Sequence, residues 1–338
     1  MPHIPVLLNE VIEGLTVKPG GLYIDATVGA GHAEAILEAS SPDGCLLGID
    51  ADEEAVRLAS EKLARFGDRV VIVRANFSDL AFVARREGFI EVDGILFDLG
   101  FASFQIENPE RGFSLYADGP LDMRYDRSKG FSAYHLVNRL KEKELAEIIR
   151  RYGEEPKAHR IARAIVRARP IRTTLELARV VEQVTGPGRG RLHPATRTFL
   201  ALRIAVNDEL GALRAALPQA VELLAPGGRV AVISFHSLED RIVKEFFRRE
   251  SRDCICPPEV PVCCCGHKAT IRVITPKPIR PSPEEVEANP RSRSARLRIA
   301  EKITQIRRGI SDRPEAGFHK LTIAQDKGTD SRMDSSAG

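Results

Sequence analysis

Tryptophan is absent from this sequence, and aromatic residues make up only 6% of it. A broad aromatic platform for stacking single-stranded nucleic acid bases is therefore not expected. No apolar run approaches the roughly 18 residues that a bilayer-spanning helix needs, so no membrane segment is predicted. The first 15 residues contain acidic side chains and no basic leading region, which is atypical of a secretory signal.

The remaining composition is typical of a folded, soluble protein. The 338 residues are 43% hydrophobic and 29% charged, which provides enough apolar material for a sizeable core. At roughly 150 residues per domain, this length predicts about two domains. Because no export signal is present, the six cysteines are expected to be reduced thiols in the cytoplasm.

Strand and helix patterns alternate through the first third of the chain, stop, and then return. Near-continuous apolar runs separated by helical spacing predict a parallel sheet that is covered on both faces. The predicted strands lie at 22–25, 45–49, 70–73, 92–97, 229–233, 271–274 and 297–300. Between the fourth and fifth of these, the sequence predicts only helices, at 141–152, 157–169, 173–184 and 193–217.

The simplest organisation is one α/β domain that is interrupted by a helical insertion. We predict a first part at 1–108, the insertion at 109–208 and a second part at 209–305. A disordered tail is predicted at 306–338, where polar residues occur without periodicity.

The end of the first strand carries a ligand-binding pattern. Asp25 is followed by a turn that contains Gly29 and Gly31, and such glycines allow a ligand to approach the backbone closely. Open parallel sheets bind ligands at the carboxyl ends of their strands. Asp50 ends the next strand, where a carboxylate can accept hydrogen bonds from ribose hydroxyls. Glu34 replaces the third glycine of a dinucleotide fingerprint, which favours S-adenosylmethionine over NAD. The alternative is a plain strand-to-helix turn.

Other strand ends supply further candidates. Phe77 follows the third strand, where its ring could lie on adenine, although such a residue is more often part of the core. Asp98 ends the fourth strand, where it could accept a hydrogen bond from an amine substrate or bind only the cofactor. His236, after the fifth strand, could be a general base, but a structural hydrogen bond is favoured. Ser237 with Asp240 is typical of a capping box. No catalytic residue is assigned.

Positive charge is concentrated in the predicted insertion, which has 20 basic and 12 acidic residues. Arg160, Arg163 and Arg167 have helical spacing and therefore share a face. Arg189 and Arg191 lie in a glycine-rich loop that can follow a phosphate backbone. These five residues favour binding to a polyanion, and the alternative is a solvated helical surface.

Eleven blocks of the sequence resemble the RsmH/MraW family of bacterial 16S rRNA cytosine-N4 methyltransferases. They lie at 3–10, 23–27, 31–32, 93–100, 111–114, 118–124, 193–199, 206–210, 225–229, 234–241 and 289–295. The resemblance implies a class I S-adenosylmethionine-dependent methyltransferase fold, Rossmann-like and mostly parallel, with an inserted all-helical domain.

The resemblance also implies an activity and its residues. The activity is methyl transfer to the exocyclic N4 of a cytosine in the decoding region of 16S rRNA, within the small ribosomal subunit and without DNA or a membrane as partner. The five arginines then become the rRNA-binding surface. By matching position, seven residues are implied to contact S-adenosylmethionine: Ala30, Gly31, His32, Asp50, Phe77, Asp98 and Gln105.

Two alternative functions predict different sequences. A non-enzymatic RNA- or ribosome-binding protein could keep an old cofactor fold, but intact Gly31, Asp50 and Asp98 argue against it. A DNA methyltransferase acting on cytosine N4 or adenine N6 would carry a D/N/S-P-P-Y/F signature after the fourth strand. This chain has Asp98-Leu-Gly-Phe101 there instead.

Five cysteines fall within twelve positions: Cys254, Cys256, Cys263, Cys264 and Cys265. This number is sufficient for a tetrahedral zinc site. The spacing differs from that of common zinc modules, however, and adjacent cysteines cannot all easily bind one ion. The sequence therefore favours a loop of reduced thiols, and no metal site is predicted.

Overall fold

A seven-stranded sheet forms the centre of the fold in the computed structural model, which describes residues 5–128, 130–186 and 193–304. The strands are β1 Leu22–Asp25, β2 Cys45–Asp50, β3 Val70–Arg74, β4 Val92–Asp98, β5 Leu224–Ser234, β6 Ile271–Val273 and β7 Arg296–Lys302. Each apolar run expected to form a strand does so.

The strand order is β3-β2-β1-β4-β5-β7-β6. Strands β1 to β5 pair in parallel, whereas β7 is antiparallel to both of its neighbours. This is the Rossmann-like, mostly parallel sheet of class I S-adenosylmethionine-dependent methyltransferases, and the predicted fold class is confirmed.

Thirteen helices are found in the described residues. They are α1 Leu8–Leu15, α2 Ala30–Ala39, α3 Glu53–Leu63, α4 Leu80–Arg86, α5 Ser103–Glu107, α6 Ala133–Arg139, α7 Glu142–Gly153, α8 Ala158–Ala168, α9 Thr174–Thr185, α10 Thr196–Asn207, α11 Glu209–Leu223, α12 Ser237–Glu250 and α13 Pro283–Ala288. None of these helices has both the length and the apolar character that crossing a bilayer requires.

Helices cover both faces of the sheet because successive strand residues point to opposite sides. Leu46 belongs to a core shared with α1, α2 and α3, whereas Leu47 belongs to a core shared with α4, α11 and α12. Ile95 and Leu96 divide between the two cores in the same way. The apolar runs are continuous because both faces of the strands are buried.

The chain between β4 and β5 forms a third core of its own. Leu145 in α7, Ile161 and Ile165 in α8, and Leu177 in α9 are buried together there. Within the described part of this segment, the only β pairing is a single bridge between Pro120 and Thr173. The domain boundaries at 109 and 208 stay predictions, and the tail expected at 306–338 lies outside the described residues.

The prediction of a single helix at 193–217 is wrong, because the helical backbone is interrupted at Asp208. Asp208 has a left-handed backbone with φ of 47° and separates α10 from α11. Its carboxylate lies over the first turn of α11, where a Cβ at Gly211 would come within 2.3 Å of an Asp208 oxygen. The glycine therefore provides the space that this side chain occupies.

Strand β5 begins earlier than the sequence predicts. Leu224 pairs with Val92, and the pairing then shifts so that Arg229 pairs with Gly94. The residues 225–228, which include Pro226, form the irregular part of the strand. These residues are thus a local interruption within β5 and not the connection that precedes it.

Replacement of Ile24 by alanine is expected to destabilise the sheet. This side chain in β1 is fully buried, and truncation of such a residue costs about 2–5 kcal/mol because it leaves a cavity. Ile90→Ala is the matched control because Ile90 is 57% exposed. Urea unfolding of both variants measures the difference, and equal losses would contradict the assignment of Ile24 to the core.

Candidate active site

Three carboxylates lie at the carboxyl ends of neighbouring parallel strands. Asp50 ends β2, Asp25 ends β1 and Asp98 ends β4, and these strands are adjacent in the order β2-β1-β4. The register places Asp25 opposite Gly48 on one side and Leu96 on the other. Ligands bind at this edge of open α/β sheets, so the structure brings together the acidic residues on which the cofactor prediction depends.

Asp25 is buried and joins two strand ends through Thr27. Its Oδ1 accepts a hydrogen bond from the Thr27 backbone N–H at 3.1 Å, while the Thr27 hydroxyl accepts one from the Asp98 backbone N–H at 2.7 Å. Burial is the main cause that raises the pKa of Asp25 to about 8, and the nearby Asp98 and Asp50 charges add to it.

The glycine turn leads into α2, and the residues predicted to contact the cofactor lie at the start of this helix. A Cβ at Gly31 would come within 2.3 Å of the Pro5 ring, whereas a Cβ at Gly29 would meet nothing within 4 Å. Gly31 is therefore required by contact with the N-terminal segment, and Gly29 borders open space. Ala30 is the first residue of α2, and its side chain lies outside the description.

His32 is buried between the N-terminal segment and β4. Its Nε2 lies 2.9 Å from the Val6 carbonyl oxygen, and because that oxygen can only accept, Nε2 carries a proton. Its Nδ1 lies 3.5 Å from Oδ2 of Asp98. A second proton on the ring would make this contact an ion pair.

Asp50 is half-buried at the end of β2. Its Oδ1 accepts a hydrogen bond of 2.7 Å from the Asp52 backbone N–H. Burial is the main cause that raises the pKa of Asp50 to about 7, and the Asp52 charge also raises it, while the backbone donors and Arg111 lower it. The protonation of this carboxyl group therefore changes within the neutral pH range.

A buried ion pair holds the segment after Asp50, and sequence reasoning missed it. Arg111 donates to both oxygens of Asp52, at 3.2 and 2.5 Å, and both side chains are about 95% or more buried. Gln105 donates to the same carboxylate at 2.8 Å and accepts from the Ala102 N–H at 3.1 Å. Gln105 therefore positions the loop, and its predicted cofactor contact stays a prediction.

Phe77 is half-buried, and its ring makes an edge-to-face contact with Phe97 at a centroid distance of 5.8 Å. Asn76 caps the short turn that carries it, by accepting a hydrogen bond from the Ser78 N–H at 2.9 Å. The structure thus gives Phe77 a packing role. The predicted contact with adenine is not tested by these distances.

An aromatic cluster includes Phe101, which follows Asp98 by three residues. The rings of Phe101 and Phe113 meet edge-to-face at 5.5 Å, and Phe113 stacks on Tyr125 at 5.7 Å. The guanidinium of Arg203 lies 4.1 Å from the Phe101 ring centroid, a cation–π contact. Sequence reasoning missed this arrangement because Arg203 lies 102 positions after Phe101 in the chain.

Arg203 forms a two-pronged ion pair with Glu209, at 2.7 and 2.8 Å. Burial opposes the charge of Arg203, but the Glu209 carboxylate outweighs it and holds the Arg203 pKa above its ordinary value. The Tyr125 hydroxyl donates to Glu209 at 3.2 Å, and burial and this negative charge raise the Tyr125 pKa. Asn207 accepts from the Tyr125 N–H at 2.8 Å and donates to the Met123 carbonyl at 2.7 Å.

His236 is the N-cap of α12. Its Nδ1 accepts from the Glu239 N–H at 3.4 Å, and Glu239 accepts in return from the His236 N–H at 3.3 Å. The capping box expected at Ser237 and Asp240 is therefore displaced by one residue. Ser237 donates instead to Glu154 at 2.7 Å. His236 thus has the structural hydrogen bond that the sequence favoured.

The three arginines of α8 lie on its exposed face, opposite the buried Ile161 and Ile165. Arg163 faces Glu142 across 3.3 Å in an exposed ion pair. Within the described ranges, no carboxylate lies within 4 Å of Arg160 or Arg167. The other two predicted RNA-binding residues, Arg189 and Arg191, lie outside the described residues.

The chemistry of the strand-end residues fits S-adenosylmethionine. This cofactor carries a positive sulfonium and ribose hydroxyls that donate hydrogen bonds. When they are ionised, the carboxyl groups at this edge of the sheet are acceptors of opposite charge, and repulsion from the charges of Asp98 and Asp50 contributes to the raised pKa of Asp25. A cationic ligand with hydroxyl donors would relieve that repulsion.

The fold and this edge of the sheet define a class I S-adenosylmethionine-dependent methyltransferase. The chain belongs to the MraW methylase family, whose model matches residues 1–303. It is 54% identical over 305 residues to Ribosomal RNA small subunit methyltransferase H of Dehalococcoides mccartyi, covering 90% of this chain and 87% of the relative.

Other similar proteins extend the comparison. The relative of the same name from Thermomicrobium roseum is 57% identical over 305 residues, which are 89% of this chain and 94% of that protein. A solved rRNA methylase structure from Streptococcus thermophilus is a distant likeness, with 11% identity and a TM-score of 0.39 over 90% of this chain and 99% of that one.

Replacing Arg111 by methionine is expected to cost about 3–5 kcal/mol, because it leaves the Asp52 carboxylate buried without its cation. Arg57→Met is the matched control: Arg57 pairs with Glu61 at 2.7 Å, but both side chains are more than half exposed. Such a pair contributes about 1 kcal/mol at most. Denaturant unfolding measures both, and equal effects would show that the buried pair is unimportant.

Proposed function

We propose that this chain transfers a methyl group from S-adenosylmethionine to the exocyclic N4 of a cytosine in the decoding region of 16S rRNA. The proposed substrate is the small ribosomal subunit, and the proposed location is the cytoplasm. The observation that carries the proposal is the 52–57% identity, over about 90% of the chain, to proteins named Ribosomal RNA small subunit methyltransferase H.

The cofactor is proposed to bind across the ends of β2, β1 and β4. Asp50 would accept hydrogen bonds from the ribose hydroxyls, and the Arg111–Asp52 pair would hold the loop that carries it. Gly29, beside open space, would allow the methionine part to approach the turn, with Ala30, Gly31 and His32 next to it. Bound S-adenosylmethionine supplies an electrophilic methyl group on its sulfonium sulfur.

The cytosine is proposed to enter beside Asp98. Its amino nitrogen is a weak nucleophile, because the lone pair is conjugated with the ring. An acceptor for the amine hydrogens raises its nucleophilicity. Asp98 is the proposed acceptor, because it ends β4 three residues before Phe101 of the aromatic cluster formed by Phe101, Phe113 and Tyr125. These rings are only partly buried and would contact the base, and positioning of this kind can supply much of the rate enhancement.

The test is a map of N4-methylcytosine in 16S rRNA from a strain that lacks the corresponding gene, with and without this chain supplied in trans. We expect one decoding-region cytosine to lose the modification and to regain it when the chain is present. Purified small subunits and deproteinised 16S rRNA, each incubated with the enzyme, identify the substrate. Methylation of another nucleotide, or S-adenosylmethionine binding without any methylation, would contradict the proposal.

Replacing Asp50 by alanine is expected to weaken S-adenosylmethionine binding by about ten- to a hundredfold, because it removes a charge-assisted acceptor worth about 1.5–3 kcal/mol. Titration calorimetry measures the dissociation constant. Asp68→Ala is the control, because Asp68 is exposed and precedes β3, at the opposite end of the sheet. An unchanged constant in folded Asp50→Ala would remove Asp50 from the cofactor site.

The same residue predicts a pH dependence. The ribose donors favour ionised Asp50, whose pKa without ligand is about 7, so binding lowers that pKa. Affinity should therefore be highest above neutral pH and fall by at most about tenfold per unit below it. The Asp50→Asn variant should bind S-adenosylmethionine more weakly, and its affinity should lack the pH dependence that comes from Asp50. The amino group of the cofactor titrates equally in both proteins, so the difference between their pH profiles isolates Asp50.

Joint replacement of Arg160, Arg163 and Arg167 by alanine is expected to impair methylation of the ribosomal substrate and to spare cofactor binding. If each guanidinium contacts a phosphate, the slope of log affinity against log salt becomes shallower by about 2–3, at roughly 0.7–0.9 per contact. Binding to small subunits across a salt series measures this slope.

A second triple variant controls for the loss of three positive charges. It replaces three exposed arginines by alanine: Arg57, Arg85 and Arg248. None of them lies in the chain between β4 and β5. We expect its salt slope to stay close to that of the unmodified chain. Equal changes in both triple variants, or an unchanged slope with normal methylation in the first, would exclude the α8 face from the RNA surface.

A further inference from the structure

The segment between α12 and β6 has no hydrophobic core of its own. None of the residues 251–270 is buried, and Val262 is 75% exposed. The contacts to neighbouring elements are polar and lie at the ends of the segment. The Thr270 N–H donates to the Glu250 carbonyl at 2.8 Å, the Ile303 N–H donates to the Thr270 carbonyl at 3.0 Å, and His267 lies 3.2 Å from the Arg249 carbonyl. A segment of this size without apolar burial needs another source of stability, such as a metal ion.

Four cysteine sulfurs converge within this segment. The Sγ atoms of Cys254, Cys256, Cys263 and Cys265 all lie within 4.8 Å of one another. The Sγ of Cys265 lies 3.6 Å from that of Cys263 and 3.9 Å from that of Cys254. With Zn–S bonds of about 2.3 Å, the sulfurs of a tetrahedral site are about 3.8 Å apart. Disulfide sulfurs are about 2.05 Å apart, so the spacing matches a shared ion.

Backbone donors point at the same sulfurs. The N–H of Cys256 donates to the Cys254 sulfur at 3.4 Å, and the N–H of Ile255 donates to the Cys265 sulfur at 3.5 Å. The N–H of Cys264 donates to the Cys256 sulfur at 3.5 Å. Hydrogen bonds of this kind stabilise thiolates that bind a metal and orient them toward it.

We propose that Cys254, Cys256, Cys263 and Cys265 bind one structural Zn²⁺ ion. Four protein ligands fill the tetrahedral coordination and leave no open position, which is typical of structural sites. Cys264 is outside this mutually close group, although its Sγ lies 3.9 Å from that of Cys256, and so the difficulty of binding adjacent cysteines to one ion does not arise. This proposal replaces the loop of reduced thiols favoured by the sequence, because the fold brings the two cysteine groups together.

The test is the metal content of the purified full-length chain after dialysis against zinc-free buffer. We expect about one zinc per chain by elemental mass spectrometry, and loss of this zinc in the double variant Cys254→Ser/Cys265→Ser. Cys264→Ser is the matched control, because it removes a thiol from the same segment and should keep the zinc. Reconstitution with Co²⁺ should give the intense visible absorption of a tetrahedral cobalt–thiolate site.

Four outcomes would overturn the proposal. Two concern the unmodified chain: its five clustered thiols all react freely and take up no added zinc or cobalt, or it holds iron instead of zinc. The other two concern the variants: the double variant and Cys264→Ser lose zinc equally, or the double variant retains its zinc. If the double variant fails to fold, the zinc content and cobalt spectrum of Cys263→Ser replace it. S-adenosylmethionine binding is measured in parallel, so a failed zinc test is distinguishable from a failed proposal of function.

Discussion

The buried ion pair between Arg111 and Asp52 is the interaction on which the arrangement of the site depends. It joins the loop after β2 to the chain that follows β4. Arg111 also donates to the carbonyls of Arg124 and Tyr125, at 3.1 and 3.3 Å. Asp52 in turn holds the Asp50 carboxylate through its N–H. Removal of either charge would leave the other buried, so the cofactor edge and the aromatic cluster are held by the same contact.

The strand ends of the site could be predicted from the sequence. A parallel sheet buried on both faces requires unbroken apolar runs, and the acidic residue that closes each run marks its carboxyl end. The positions of Asp50 and Asp98 at strand ends can therefore be predicted from the sequence alone. The glycine turn was also correctly located, and the structure adds a packing reason for one of its glycines, since Gly31 makes room for Pro5.

The remaining features depend on contacts between distant residues. Asp52 and Arg111 are 59 positions apart, and no local pattern pairs them. The ends of helices were hard to predict for a different reason, because more than one nearby side chain can cap the same helix. His236 displaced Ser237 as the cap of α12, and Asp208 broke a helix whose apolar pattern continues across it. The convergence of two cysteine groups likewise requires the loop between them to fold back.

The place of β7 in the sheet has a consequence for synthesis on the ribosome. This strand comes last among the seven, yet it lies between β5 and β6. A nascent chain can pair β1 to β5 as they emerge, but β5 keeps an open edge and β6 has no partner until residues 296–302 leave the exit tunnel. Open edges are sites of misassociation. Vectorial folding of this protein therefore finishes only after nearly all of its family-matching sequence has been translated.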